Sequence, residues 1–452
     1  MPLDKILLER DAYMDLLEWK KTNGSRAILI DGARRVGKSH LAETFAKNEY
    51  RSYVLIDFSR ASPSLKSVFE NDMSDLDMFF EKIKVITGVR ELYERDSVLV
   101  FDEVQEFPRA REMIKHLVAD GRYDYIETGS LLSIEANIRN IVIPSEERRL
   151  RLYPLSFKEF LKATGKENMI SLMRDCFEEL KPLGQAVHHT IMNEFRRYMM
   201  VGGMPQAVLK YMETGSFSEV DSVKREILDL YRSDVTKYAN GQKARVKSLF
   251  DRIPAELSRK KKTFSITSLG KNARSRDYDD AFMWLEDGRI INQCFNSTDP
   301  SYGLFMSLDH TKHKCYMGDT GLLVTHSISV NAVTSEDVYR SIIADRMNIN
   351  EGMFMENIVA QELRSNGHNL FFYSRNDPDN RENTMEIDFL IARDAKICLV
   401  EVKSSSKISH SSLDKFCRKF KGRIGQPYLL CLKDISVEDG YIRLPVYMAG
   451  LL

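Results

Sequence analysis

Gly32-Ala33-Arg34-Arg35-Val36-Gly37-Lys38-Ser39 follows the apolar run Ala27-Ile28-Leu29-Ile30 and precedes a helical pattern that opens near His40. A strand, a glycine-bounded loop and a helix in that order make a phosphate-binding loop. The two glycines let the backbone curl so that successive N–H groups point inward, and the helix adds the positive end of its dipole. On this reading the residues from Gly32 to His40 cradle a nucleotide. Lys38 reaches its β- and γ-phosphates, and Ser39 ligates magnesium.

Two glycines and a lysine are common residues, so the loop needs a second element. Ser97-Val98-Leu99-Val100-Phe101-Asp102-Glu103 supplies it, a buried-strand run that ends in two carboxylates. This is the order of a Walker B segment: Asp102 is expected to hold magnesium through water, and Glu103 to polarise the attacking water. ATP and Mg2+ are the expected cofactors, and hydrolysis the expected chemistry. Further on, Tyr125-Ile126-Glu127-Thr128-Gly129-Ser130 ends in hydroxyls where a doubly wound sheet presents its ligand-facing edge. Thr128 or Ser130 is placed to sense the γ-phosphate; a turn-forming Thr-Gly-Ser is the competing account of the same residues.

The chain has 452 residues, too many for one core, and should divide into about three domains. Lysine plus arginine and aspartate plus glutamate both total 66, so net charge selects no partner and any nucleic-acid surface must be local. No apolar run is long enough to span a bilayer and the N-terminus lacks the apolar core of a signal peptide, which makes the cytoplasm the expected compartment and a membrane an unexpected partner. The six cysteines are scattered without a C-x-x-C pair, against a disulfide framework or zinc ribbon. His310, His313 and Cys315 lack an obvious fourth ligand for structural zinc and read as core residues.

Apolar strands alternate with helical patterns up to residue 157: Arg26–Ile30, Ser52–Phe58, Ser97–Asp102, Tyr123–Gly129 and Arg149–Phe157. Such alternation predicts a parallel sheet covered by helices, an α/β P-loop domain over 1–157. Residues 158–225 read as a helical connector or lid, broken at Val201-Gly202-Gly203-Met204-Pro205. Residues 226–345 give a helix, a basic turn from Arg259 to Lys262, a short apolar segment, further helices and a hairpin-like pair, Arg289–Phe295 and Lys314–Met317. That is the order of a winged helix, with Arg274, Ser275 and Arg276 at the start of its recognition helix. DNA contact and a packing role are both open for this module.

Residues 346–452 form the fourth predicted domain. Glu386-Ile387-Asp388-Phe389-Leu390-Ile391-Ala392 and Ile397-Cys398-Leu399-Val400-Glu401-Val402-Lys403 are strand-like runs joined by the turn Arg393-Asp394-Ala395-Lys396. A symmetric turn sets residues whose numbers sum to about 789 opposite one another, so Asp388 faces Glu401. Two facing carboxylates on an otherwise apolar face need compensation. A divalent cation, Mg2+ or Mn2+, is the expected answer, with Lys403 stabilising a phosphoryl transition state. Asp388 followed by Glu401-Val402-Lys403 resembles the arrangement of restriction-endonuclease-like nucleases, and Glu356 on the preceding helix is a further candidate ligand. An ion-pair network around Lys403, without cleavage, is the structural alternative. Lys407, Lys415, Arg418, Lys419, Lys421 and Arg423 stand against Asp414 alone, a local excess suited to a phosphate backbone or to a solvated helix.

The whole chain resembles a large family of bacterial and archaeal AAA-type ATPases that pair a P-loop domain with a C-terminal domain similar to the restriction-endonuclease-like fold. The segments that carry the resemblance are Gly32–Ser39, Val98–Gln105, Thr128–Ser130, Leu152–Phe160, Gly202-Gly203-Met204-Pro205, Gly318-Asp319-Thr320-Gly321-Leu322, Glu356-Asn357, Glu386–Leu390 and Glu401–Ser404. The resemblance implies an arginine finger before Pro154-Leu155-Ser156-Phe157. Many members have Gly-Arg there; this chain has Ser145-Glu146-Glu147-Arg148-Arg149, which leaves Arg148 and Arg149 as candidates. A finger supplied in trans requires a homo-oligomer. The expectation is an ATPase whose nucleotide state controls a half that acts on DNA. The alternatives are a switch or scaffold for a protein partner with an inert nuclease-like domain, and a DNA-binding regulator that does not cut.

Overall fold

A computed structural model describes residues 8–72, 74–130, 145–239, 241–271, 273–329, 334–343, 351–393, 395–404, 410–438 and 440–452. Asp394 and Lys407 of the expected hairpin turn and basic run lie outside the described residues. The chain divides into one unit at Glu9–Tyr153 and a second that runs from Pro154 to Leu452 and includes Leu8 in its core.

The first unit is a parallel sheet of β1 (Ala27–Gly32), β2 (Ser52–Asp57), β3 (Ser97–Asp102), β4 (Asp124–Gly129) and β5 (Glu147–Leu152), in the order β2-β3-β4-β1-β5. β1, β3 and β4 are buried along their whole length, which is why β1 and β3 read as apolar runs rather than alternating ones, whereas β4 buries Asp124, Glu127 and Thr128 as well. The period of two still sorts their side chains. Leu29, Leu99, Phe101 and Tyr125 pack with Phe58, Phe69, Phe79 and Met113 in one cluster, and Ile28, Ile30, Val98, Val100 and Ile126 pack with Leu41 and Phe45 in another. The five expected strands are all present, with bounds shifted by a few residues.

The second unit begins with five helices, Phe157–Ala163, Asn168–Glu179, Gln185–Val201, Pro205–Thr214 and Phe217–Tyr238. Ser156 caps the first through a reciprocal box with Glu159. The last helix runs through the expected 225/226 boundary without a break. An eight-stranded mixed sheet follows: β6 (Ile291–Ser297), β7 (Leu308–Met317), β8 (Phe371–Arg375), β9 (Met385–Arg393), β10 (Lys396–Val402), β11 (Tyr428–Cys431), β12 (Ser436–Glu438) and β13 (Tyr441–Pro445), ordered β12-β13-β11-β10-β9-β8-β6-β7.

This sheet corrects two expectations. The β6–β7 hairpin, assigned above to a separate winged helix, pairs in parallel with β8 and so belongs to the same sheet as the C-terminal strands; the expected boundary at 345/346 falls between strands of that one sheet. Arg274, Ser275 and Arg276 do not open a recognition helix either. They lie at a 3-10 turn, Ser275–Asp277, ahead of the helix Asp279–Asp287, whose first turn is acidic. The β9–β10 register does match: Lys396 pairs with Arg393, Leu399 with Leu390 and Val400 with Phe389. Among the described residues, no helix is long and apolar enough to cross a membrane.

Candidate functional sites

The loop at Gly32–Ser39 leaves β1 at the C-terminal end of the sheet, where parallel strands present ligands. Gly37 takes a left-handed φ of 98° immediately before the helix Lys38–Glu49, a conformation that glycine adopts without steric cost. Gly32 is tight for another reason: a Cβ there would stand 2.4 Å from the carbonyl oxygen of Leu152 on β5. Arg10 fastens the arch from outside, donating from Nη1 to the carbonyl of Val36 (3.0 Å) and from Nη2 to that of Tyr153.

Lys38 is buried, and its ammonium donates to the carbonyls of Gly32 (3.0 Å) and Ala33 (3.1 Å). Burial lowers its pKa, against the opposing pull of Glu103, Asp31 and Asp102. Ser39 Oγ donates to Asp102 Oδ1 at 2.7 Å, and Thr128 Oγ1 donates to the same oxygen. Thr128, offered above as a phosphate sensor, therefore sits directly on the acidic residue. Glu103 adopts a positive φ of 53°, and its carboxylate accepts from Gln105 Nε2. A positive φ on a non-glycine residue is uncommon and turns this side chain off the line of β3. Ser130 is half-buried just past β4.

A hydroxyl and a carboxylate within hydrogen-bond distance are hard oxygen donors of the kind magnesium takes. With Lys38 at the loop, the residues fit a magnesium nucleotide. The arginine candidates are placed elsewhere. Arg148 and Arg149 pair along the sheet with Ile28 and Leu29, four and three residues before Gly32, and Arg149 rests 3.5 Å from Glu147. Neither is brought to this chain's own loop.

A second constellation lies within the second unit. Glu356, on the helix Glu351–Ser365, is buried and accepts from Lys314 Nζ (3.0 Å), from Lys262 Nζ and from the Tyr316 hydroxyl. Lys314 is fully buried on β7 and also stands 3.3 Å from Glu386 and 3.3 Å from Asp388 on β9. Asp388 accepts in addition from the Val402 amide at 3.0 Å. Glu401 accepts from Lys403 at 2.5 Å, while its Oε2 is buried without a hydrogen-bond partner. Burial by itself would raise the Glu356 carboxyl, but the charges of Lys314 and Lys262 overcome it and hold the group down at about 2. Burial, reinforced by the charge of Asp388, pushes Glu401 up to about 8.

The structure thus gathers Glu356, Asp388, Glu401 and Lys403 as the sequence suggested, but with lysines among them. Among the described residues, no group of three or more His, Cys, Asp or Glu side chains is arranged to hold a metal ion. Lys314 and Lys262 went unread because a lone strand lysine and a basic turn ordinarily face solvent. Their partners lie 42 and 94 residues away. The one hint was Lys314 within the otherwise apolar end of a strand, Cys315-Tyr316-Met317. His313 is buried against Phe264, Phe282 and Phe295, and burial lowers its ring to about 4, which makes it a neutral core residue. In the basic run, Lys415, Arg418 and Lys419 are tied to Arg381, Glu382 and Asn383, and Arg423 to Asp299.

Residues 24–161 match the family model of an AAA domain. Residues 192–332 and 351–448 match two domains of unknown function, DUF8612 and DUF4143. An uncharacterised protein of Haemophilus influenzae is 24% identical over 190 residues, 40% of this chain and 44% of that protein, so the match spans less than half of the relative's length. Among solved structures, the Aeropyrum pernix ORC1 protein in complex with DNA is 10% identical with a TM-score of 0.27, covering 72% of this chain and 93% of that one. The Thermotoga maritima RuvB Holliday junction branch migration motor is 12% identical with a TM-score of 0.30, covering 63% and 89%. Scores this low carry no functional argument. The family model and the parallel sheet agree: the N-terminal unit is an AAA-type P-loop domain.

Proposed function

We propose that the protein is a magnesium-dependent ATP hydrolase. The observation that carries this reading is the 2.7 Å contact between Ser39 and Asp102 beside the Lys38 loop, which brings together two elements 63 residues apart. Lys38 would hold the β- and γ-phosphates, Ser39 and Asp102 the magnesium, and Glu103 would orient and deprotonate water. Magnesium would supply charge neutralisation at the phosphates. Thr128 shares Asp102 with Ser39, so it would register a change at the metal position rather than touch phosphate itself. Phosphate release from ATP by the full chain, with and without Mg2+ and with Lys38→Ala as control, tests the assignment; turnover unaffected by either would reject it.

We further propose that nucleotide state controls the C-terminal half, and that DNA is its target. The helix Glu351–Ser365 followed by antiparallel β8, β9 and β10, then a helix and parallel β11, supports reading this half as restriction-endonuclease-like. Affinity for duplex DNA measured across a salt series tests it. A steep salt slope that changes with ATP is expected, and no measurable affinity would favour a protein partner instead.

A further inference from the structure

We propose that Lys314, assisted by Lys262, is a built-in cation that occupies the centre of the carboxylate cluster, so that the nuclease-like half is closed to divalent metal and does not cut. This inference rests on reading that half as nuclease-like and settles what its acidic centre does. An ammonium has three N–H donors, and Lys314 has three carboxylates around it: Glu356 at 3.0 Å, Glu386 at 3.3 Å and Asp388 at 3.3 Å. A single cation shared by three carboxylates is what a metal ion would otherwise provide.

The position is not one that a surface lysine visits by chance. Lys314 is fully buried, with its ammonium 5.1 Å from the centre of the Phe372 ring, and it is held in register by β6 on the next strand, where Cys294 pairs with it. Lys262 neutralises the second oxygen of Glu356, and Tyr316 adds a hydroxyl to the first. Glu356 is therefore saturated by protein donors. Lys403 is likewise turned onto Glu401. Three ammonium groups thus stand against the acidic cluster, and both upstream lysines arrive from segments, the 259–262 turn and β7, that sequence alone assigned to another domain. Removing a buried cation from such a cluster leaves carboxylates uncompensated, which destabilises the fold strongly. An added divalent ion is the natural replacement.

The test uses the nucleotide-free full chain carrying Asp102→Asn, so that manganese at the ATPase domain does not contribute. Mn2+ binding is followed by electron paramagnetic resonance, and stability by thermal melts with and without Mn2+. The expected result is no saturable Mn2+ binding and no melting shift, whereas adding Lys314→Ala lowers the melting temperature and Mn2+ restores much of the loss. Saturable Mn2+ binding that Asp388→Asn abolishes would overturn the inference. So would a Lys314→Ala protein that melts like its parent, or one that Mn2+ does not restabilise. If Lys314→Ala does not fold, Lys314→Met combined with Glu356→Gln removes one charge of each sign and should recover folding; no recovery overturns the ion-pair role. Duplex DNA affinity measured on the same preparation reports on the reading above separately, since its loss leaves the manganese result standing.

Discussion

Ser39 and Asp102 are joined by a 2.7 Å hydrogen bond to Oδ1, the oxygen that Thr128 also approaches. The loop, the end of β3 and the end of β4 are therefore connected through one carboxylate atom. Hydrogen bonding to Oδ1 requires only an acceptor, whereas metal binding requires charge. Asp102→Asn separates the two: the amide oxygen preserves the contacts while the charge is lost. The expected outcome is a melting temperature near wild type with the additional stabilisation by Mg2+ and ATP removed. A full Mg-ATP melting shift in the variant would take Asp102 out of the metal site.

Lys38→Ala removes the ammonium that donates to the carbonyls of Gly32 and Ala33. Phosphate charge would then lose the buried ammonium of the loop and keep only the exposed Arg34 and Arg35 nearby, and ATP affinity is expected to fall by about 100-fold or more, the scale of one or two charge-assisted hydrogen bonds. Titration calorimetry with ATP decides; unchanged affinity removes this loop from nucleotide binding.

Glu103→Gln keeps the acceptor for Gln105 and the side-chain size but loses the base. ATP binding is expected to persist while hydrolysis slows by roughly 10²–10⁴, the usual contribution of a positioned general base. Single-turnover phosphate release measures it, and wild-type turnover would assign water activation to another residue.

How much of this was legible in the sequence follows from the range of the interactions involved. β1 and β3 were readable because fully buried parallel strands are largely continuous apolar runs. The β9–β10 register was readable because a short turn and a period of two fix which side chains face each other. Local pattern could show that β6 and β7 form a hairpin but not which sheet receives it, because the deciding contacts are Phe295 and Asn296 with Phe371 and Phe372, some 76 residues on. The same limit hid the cluster chemistry. Two carboxylates across a hairpin signalled a missing positive charge, and local pattern could not show that Lys314 on β7 stands 3.3 Å from Asp388. The Thr128 contact was hidden for a smaller reason: its hydroxyl faces Asp102 on the neighbouring strand, a lateral contact that no reading along one strand contains.

Glu362 gives a pH dependence. Burial raises its carboxyl from 4.5 to about 7, although the Phe157 amide (2.9 Å) and the Tyr198 hydroxyl (3.1 Å) both donate to it and pull the other way. The unfolded chain releases this proton near 4.5 and the folded protein holds it to about 7, so the folded state binds more protons in between. Stability is fully present below that window, falls as pH rises through it and is level above it; the gap corresponds to roughly 3 kcal/mol. Glu362→Gln cannot ionise and keeps an acceptor for both donors. Its melting temperature is expected to exceed wild type at pH 8 and to match it near pH 5. An equal difference at both values would show that Glu362 does not titrate in this range.

Gly203 marks a close approach that a short sequence motif does not explain by itself. Its carbonyl accepts from the Leu155 amide at 2.7 Å and its own amide donates to Asp319 at 2.6 Å, so the backbone is fixed on both sides. Asp319 in turn caps the helix Thr320–Ile328 through the Leu322 amide, and the Leu155 carbonyl accepts from Tyr198 at 2.5 Å. A Cβ on Gly203 would stand 2.2 Å from the Leu155 oxygen and 2.7 Å from its nitrogen, backbone atoms with nowhere to go. Gly203→Ala is therefore expected to cost about 2–4 kcal/mol, the range of a buried clash combined with broken hydrogen bonds. Gly270→Ala is the control, since a Cβ there meets nothing within 4 Å, and it should change stability by no more than about 0.5 kcal/mol. Chemical denaturation of both variants checks the pair: a Gly203→Ala protein as stable as Gly270→Ala would mean that the Leu155, Gly203 and Asp319 junction yields without cost.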